Sequence, residues 1–181
     1  MLGGGICQPS STLYNAVLYA NLEIIERRPH MFVTGYVGPG RDATIVYGAI
    51  DLKFKNTRDF PIMIRTTAIN GENVIEILGI RQDVEYEIEI VTTILNYIPW
   101  RTIFETNNAL APGTERVLQQ GGNGVNNVTY RIFRLDGVEV SREELSRDVY
   151  SPMNRIVERG PVVQAVEANA YNTYYAGAYG Y

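Results

Sequence analysis

"GGGICQPSSTLYNAVLYANLEIIERRPH", residues 3–30, holds the only cysteine of the chain, Cys7, and its only histidine, His30. How far a helix runs through this stretch decides where the two lie. Leu13, Val17, Ala20 and Ile24 fall on one helical stripe, and Leu18, Leu22 and Ile25 widen it. Pro9 suits a first turn, where its missing N–H has no intrahelical partner. Arg27 and Arg28 complement the negative end of the helix dipole, and Pro29 closes it. The pattern predicts a helix from Gln8 or Pro9 to Arg27, with Cys7 at its N-terminus. A helix of about 18 residues, rising about 1.5 Å each, would part Cys7 from His30 by about 27 Å. Two arrangements escape that separation: a helix that is shorter or broken near Asn21, or a base other than His30.

Beyond His30 the grammar is β. Residues 30–48, "HMFVTGYVGPGRDATIVYG", read as short extended pieces broken at Gly35 and at the turn "GPGRD". "IDLKFKN" alternates at Ile50, Leu52 and Phe54, and "PIMIRTTAI" and "NVIEILGI" flank Asn70-Gly71, a strong hairpin signal. "VEYEIEIVTTIL" is a further alternating strand, its acidic positions read as a solvated face. Strands are expected near 114–119, 128–135 and 138–141, with Asp136-Gly137 as a second hairpin turn. "SREELSRDV" fits one short helical turn with too sparse an apolar stripe for a stable helix. The expected fold is α+β: one N-terminal helix packed on an antiparallel sheet (1–82), then an elongated all-β module with little core (83–165). A Tyr/Gly-rich tail (166–181) reads as low complexity, flexible or docked on a partner.

Of the 181 residues, 45% are hydrophobic and 20% charged, which are globular values. The net charge is −4 and the basic residues are scattered, which argues against nucleic acid as a partner. No apolar run reaches the roughly 18 residues of a membrane span. One cysteine excludes an internal disulfide, and one Cys with one His makes a zinc site improbable, so neither metal nor cofactor is expected. "MLGGGICQ" lacks the regions of a signal peptide, so work outside a cell would make this chain part of a longer precursor.

From the residues alone, Cys7 reads equally as a buried hydrophobe or as a nucleophile on a helix end. For the second role, Gly5 and its neighbouring glycines let backbone approach a substrate closely. Backbone N–H groups of Cys7, Gln8 or Ser10 would serve a tetrahedral oxyanion. His30 is either a base for the thiol or a partner of the helix C-terminus. An extended chain from Met31 to Gly40 spans about 30 Å, enough to bring "GRDA" back to the helix start. There Arg41 would hold a substrate carboxylate in a fork and Asp42 would orient a base or an acceptor amine. The competing reading of Arg41 and Asp42 is an internal ion pair that fixes the turn. Tyr36 and Tyr14 are further candidates near that end, and Trp100 is either a packing anchor or a sugar platform.

"GGGICQPSSTLYNAVL", "ERRPH" and "YVGPGRDATIVYGAIDLKFKN" together resemble the core signature of the VanW domain, over residues 3 to about 79. From about 84 to 163, "YIPWRT", "APGTERVLQQGGNG", "TYRIFRLDGVEVSRE" and "IVERGP" resemble a G-five domain. VanW domains carry several tens of residues ahead of the "GGGICQ" block, so opening strands are expected from upstream sequence or from another chain. The resemblance implies an extracellular protein at the cell wall or surface of a Gram-positive bacterium, with peptidoglycan stem peptides or glycan as partners. It further implies L,D-transpeptidation with Cys7 as nucleophile and His30 and Asp42 in support. Arg41, Gly5, Gln8 and Tyr36 would then contact the substrate. The alternative is a non-enzymatic adhesion or assembly protein that binds peptidoglycan, self-associates, or takes a complementing strand at an open sheet edge.

Overall fold

The computed structural model describes residues 5–162, and the tail expected at 166–181 lies outside them. Its one helix, α1, runs Cys7–Tyr19 and buries Ser11, Tyr14, Val17 and Leu18 along a single face. It stops well before Arg27. Asn21 takes a left-handed φ of 54°, its N–H bonds Leu18 O (3.1 Å), and the Leu22 N–H bonds Val17 O (3.2 Å). That pair of bonds is a Schellman closure, with buried Leu22 as its apolar residue. The apolar stripe misleads past this point because Leu22 and Ile24 face inward by strand alternation, not by helical periodicity.

Strand β1 (Glu23–Glu26) therefore turns back from α1 and pairs antiparallel with β2 (Lys53–Lys55). Strands β3 (Met63–Ile69) and β4 (Glu72–Leu78) form the hairpin expected at Asn70-Gly71, whose φ values are 54° and 80°. The single sheet expected here is instead two separate two-stranded ladders, β1-β2 and β3-β4.

The second half holds two three-stranded sheets. Strand β5 (Glu87–Ile98) pairs with β8 (Gly124–Leu135), which pairs with β9 (Val138–Tyr150), all antiparallel around the Asp136-Gly137 turn. The stretch "SREELSRDV" is thus strand, not helical turn, because its backbone pairs along β8 at every position but Leu145, where the register shifts. In the other sheet β10 (Arg155–Arg159) lies between β6 (Thr102–Thr106), to which it is parallel, and β7 (Glu115–Gln119), to which it is antiparallel. Trp100 packs over Gly121: a Cβ added to that glycine would come within 2.3 Å of the indole. No described helix is long and apolar enough to cross a membrane.

The core lies on the seam between the two halves. Tyr14, Leu18 and Ala43 from the first half cluster with Ile90 of β5, and Ile24, Leu52, Ile88 and Leu145 pack around them. So α1 packs not only on β1 and β4 but also on β5. From β8, Arg131 donates to the helix-terminal carbonyls of Leu22 (3.1 Å) and Leu18 (3.4 Å). Gly40, at a φ of 78°, is pressed so closely on β8 that an added Cβ would lie 1.9 Å from Thr129 Oγ1.

Gly40 is therefore a steric reporter of this seam. Gly40→Ala combines a left-handed backbone with a side-chain clash and is expected to cost about 2–4 kcal/mol. A denaturant titration checks it, and adding Thr129→Ala should restore only the clash component.

Candidate functional site

Three elements converge on Cys7. The residue opens α1, where the cap residue Ile6 has no side-chain acceptor and Pro9 no N–H. Ser10 N–H bonds Ile6 O (3.2 Å), so of the proposed oxyanion donors Cys7 and Gln8 remain. The Cys7 thiol is half-buried and donates to Ile45 O at 3.7 Å. Ser11 fixes this arrangement: its hydroxyl donates to Cys7 O (2.7 Å) and accepts the Ala43 N–H (2.9 Å). Ser10 adds a bond to Ala43 O (2.6 Å). Residues 43–45 are thereby stitched along the first helical turn, and "GRDA" does return to the helix start.

The early end of α1 lets the chain carry His30 back to Asp42. Thr44 N–H bonds Arg28 O (2.9 Å), aligning the chain before His30 with the chain after Asp42. His30 Nδ1 and its backbone N–H both lie 2.6 Å from Asp42 Oδ2. An ionised carboxylate only accepts, so in the neutral imidazole Nδ1 carries the proton and Nε2 presents its lone pair. The Tyr36 hydroxyl lies 3.4 Å from Nε2. Burial raises the Tyr36 phenol above its ordinary range, Ser11 opposes this by hydrogen bonding, and the nearby charges of Cys7 and Asp42 add to it. Tyr36 therefore stands within reach of the imidazole.

Asp42 is 1% exposed and saturated with donors. Its Oδ1 accepts from Arg27 (2.8 Å) and from the Tyr150 hydroxyl, while Oδ2 serves His30 alone. Arg27 Nε also bonds Asp42 O (2.6 Å), and its Nη1 reaches both oxygens of Asp148 (2.6 and 2.7 Å). The Tyr14 ring lies 5.2 Å from the guanidinium carbon. Tyr150 further accepts the Gly40 N–H (2.8 Å), and Ser146 donates to Asp148 (2.9 Å). Burial alone would raise Asp42, but Tyr150, the His30 N–H and Arg27 outweigh it and hold the carboxyl below its ordinary range. Burial and the bond to Asp42 push the Tyr150 phenol far up. Burial opposes the charge on Arg27, and Asp148, Tyr14 and Asp42 more than restore it.

Not every expected residue joins this group. Arg41 turns the other way: its guanidinium bonds Asn15 Oδ1 and the Tyr19 hydroxyl (3.1 Å), near the far end of α1. It forms no ion pair with Asp42, whose cation is Arg27. Gly5 and Gln8 are exposed beside Cys7. Sequence reasoning missed Arg27, read as a dipole partner, and it missed Asp148 and Tyr150 altogether. The only local signal for the last two is alternation, since residues two apart on a strand share a face.

A short helix opening on a thiol, with a histidine–carboxylate pair held by a buried arginine and a glycine-pinned sheet module, defines a two-part α+β protein. Residues 1–78 match the family model described as VanW like protein, and residues 89–162 match the G5 domain. The chain thus carries a VanW-like domain followed by a G5 domain. It is 41% identical over 98 residues to the protein YoaR of Bacillus subtilis, covering 54% of this chain and 30% of that protein. It is 40% identical over 81 residues to the vancomycin B-type resistance protein VanW of Enterococcus faecalis, covering 41% and 29% respectively. The immunoglobulin A1 protease of Streptococcus sanguinis is 41% identical over 69 residues, 38% of this chain and 4% of that protein. The chain thus spans less than a third of each of these relatives. Among solved structures, an IgA1 protease G5 domain matches with 33% identity and a TM-score of 0.30, over 45% of this chain and 98% of that one.

The buried charges set an acid limit on stability. Asp42 is held below its ordinary range, so its contribution is complete above about pH 4 and is lost as pH falls through the lowered folded value. Arg27→Met, which strips two buried carboxylates of their cation, should cost about 3–5 kcal/mol at neutral pH. Urea midpoints measured against pH should show that deficit narrowing on acidification, as protonation relieves both carboxylates.

Proposed function

We propose that this chain is part of a cell-envelope protein whose VanW-like domain performs acyl transfer on peptidoglycan stem peptides through Cys7. The pairing of VanW-like and G5 domains supports the envelope assignment. The observation that supports the chemistry is the His30–Asp42 pair, followed directly by Ala43, which Ser10 and Ser11 bond in the helical turn that Cys7 opens.

In this reading Asp42 fixes the His30 tautomer, so Nε2 accepts the proton that the thiol gives up, with the Tyr36 hydroxyl between them. Cys7 Sγ attacks the carbonyl carbon of the terminal peptide bond of a stem tetrapeptide. A carbon–sulfur bond forms, and the N–H groups of Cys7 and Gln8 hold the oxyanion. The carbon–nitrogen bond then breaks, and the leaving amine takes the proton back from His30. An amine of a neighbouring stem attacks the thioester and gives its proton to His30, the carbon–sulfur bond breaks to restore the thiolate, and the new amide is the 3-3 cross-link. Gly5, Gln8 and Tyr36 line the approach to the thiol. Arg41 braces its turn against α1 through Asn15 and Tyr19, and it is not assigned to substrate.

A second reading, non-enzymatic assembly, draws on exposed apolar side chains of two-stranded ladders, among them Met63, Ile69 and Val74. Incubation with disaccharide-tetrapeptide, followed by mass spectrometry, separates the two. The acyl-transfer reading expects a covalent adduct on Cys7 and 3-3 dimers, abolished by Cys7→Ala and slowed about 10²–10⁴-fold by His30→Gln. Adduct-free wild-type protein that still co-sediments with sacculi would establish the assembly reading instead.

A further inference from the structure

We propose that Tyr150 and Asp148, at the end of β9 in the G5 domain, are positioning residues for the His30–Asp42 pair of the VanW-like domain. The role rests on the acyl-transfer reading for its use, though not for its geometry.

A carboxylate can steer an imidazole only if it cannot rotate about its own side-chain bond. Asp42 meets that condition because its two oxygens are divided between two sets of donors. Oδ2 takes the backbone N–H and Nδ1–H of His30, both at 2.6 Å. Oδ1 takes the Tyr150 hydroxyl and the Arg27 guanidinium (2.8 Å). The G5 domain supplies the first of these directly. It supplies the second indirectly, since Asp148 grips Arg27 Nη1 through both carboxylate oxygens and Ser146 steadies Asp148. Tyr150 also accepts the Gly40 N–H (2.8 Å), so one phenol fixes the turn that carries Asp42 as well as its carboxylate.

Charge points the same way. The buried trio Arg27, Asp42 and Asp148 sums to one uncompensated negative charge, and the group in contact with it that can take up a proton is His30. An imidazolium formed while His30 holds the thiol proton would neutralise the cluster. Asp148 is what makes that sum negative: without it, Arg27 and Asp42 cancel and the incoming proton meets no net field. The G5 domain therefore supplies half of the support for the base.

The test uses the full chain with isotope-labelled histidine and aspartate. In wild type, nitrogen NMR of His30 should show one neutral tautomer, protonated at Nδ1, and carbon NMR should show Asp42 titrating below the ordinary carboxyl range. Tyr150→Phe, which keeps the ring and removes the hydroxyl, should mix the tautomers and raise the Asp42 titration. Asp148→Asn, which keeps the shape and removes the charge, should cut the rate of Cys7 acylation or alkylation near neutral pH about tenfold or more, with the tautomer mixed to a lesser degree. A loss of global stability alone would leave the tautomer of the folded fraction unchanged, so the readout separates positioning from bracing. If either folded variant retains the wild-type tautomer and Asp42 titration, the inference is overturned. If both signatures move, it stands, whether or not wild-type Cys7 forms an adduct.

Discussion

One guanidinium lies between two carboxylates that reach it from distant parts of the chain. Arg27 is contributed by the segment after β1, Asp42 by the following turn, and Asp148 by a strand 121 residues on. Burying a cation and two anions together is costly unless each lone pair and proton finds a partner. Here they do: Tyr150, Ser146 and the His30 N–H complete the set. Everything else in the architecture serves that arrangement. The Schellman closure at Asn21 sends β1 back along the helix, and the glycine at position 40 lets the Asp42 turn lie flat on β8.

The same cluster removes any sharp line between the two family units. Their match boundaries leave residues 79–88 as a connection, yet the core of Tyr14, Leu18, Ala43 and Ile90 straddles it. Arg131 reaches from β8 to the carbonyls of Leu18, in the last turn of α1, and of Leu22, just beyond it. The alternate faces of β8 explain how one strand can be a sheet centre and a docking surface at once. Asn127, Thr129 and Arg131 look toward the helix and its turn. Val128 and Ile132 are buried on the other side.

What the sequence made legible follows the range of the interactions involved. Both hairpins, at Asn70-Gly71 and Asp136-Gly137, depend on two adjacent residues and could be read directly. The start of α1 could also be read, because apolar spacing and Pro9 are local. Its end could not: a left-handed Asn is permitted in many settings, and Leu22 and Ile24 extend a helical stripe by coincidence of period. Strands β6 and β10 escaped notice because they pair with each other across some fifty positions, and β6 is exposed along most of its length. At the site, chain length allowed "GRDA" to return to the helix start, and the bonds of Ser10 and Ser11 to Ala43 are long-range partners that sequence does not mark. Tyr150 and Asp148 carried no local mark beyond strand alternation.

The insertion of β10 between β6 and β7, and the closing of Asp148 on Arg27, also dictate an order of assembly. A chain emerging from its N-terminus has α1, β1 and the Asp42 turn long before it has Asp148 and Tyr150, which complete the cluster around Arg27. Until β9 has been synthesised, that arginine is better solvated than buried, and the contact that traps it must close a loop of more than a hundred residues. The thiol end of the molecule therefore matures after its own sequence is complete, on the arrival of the C-terminal strands. A nascent or truncated chain that stops short of Tyr150 holds Cys7, His30 and Asp42 without the partners that arrange them.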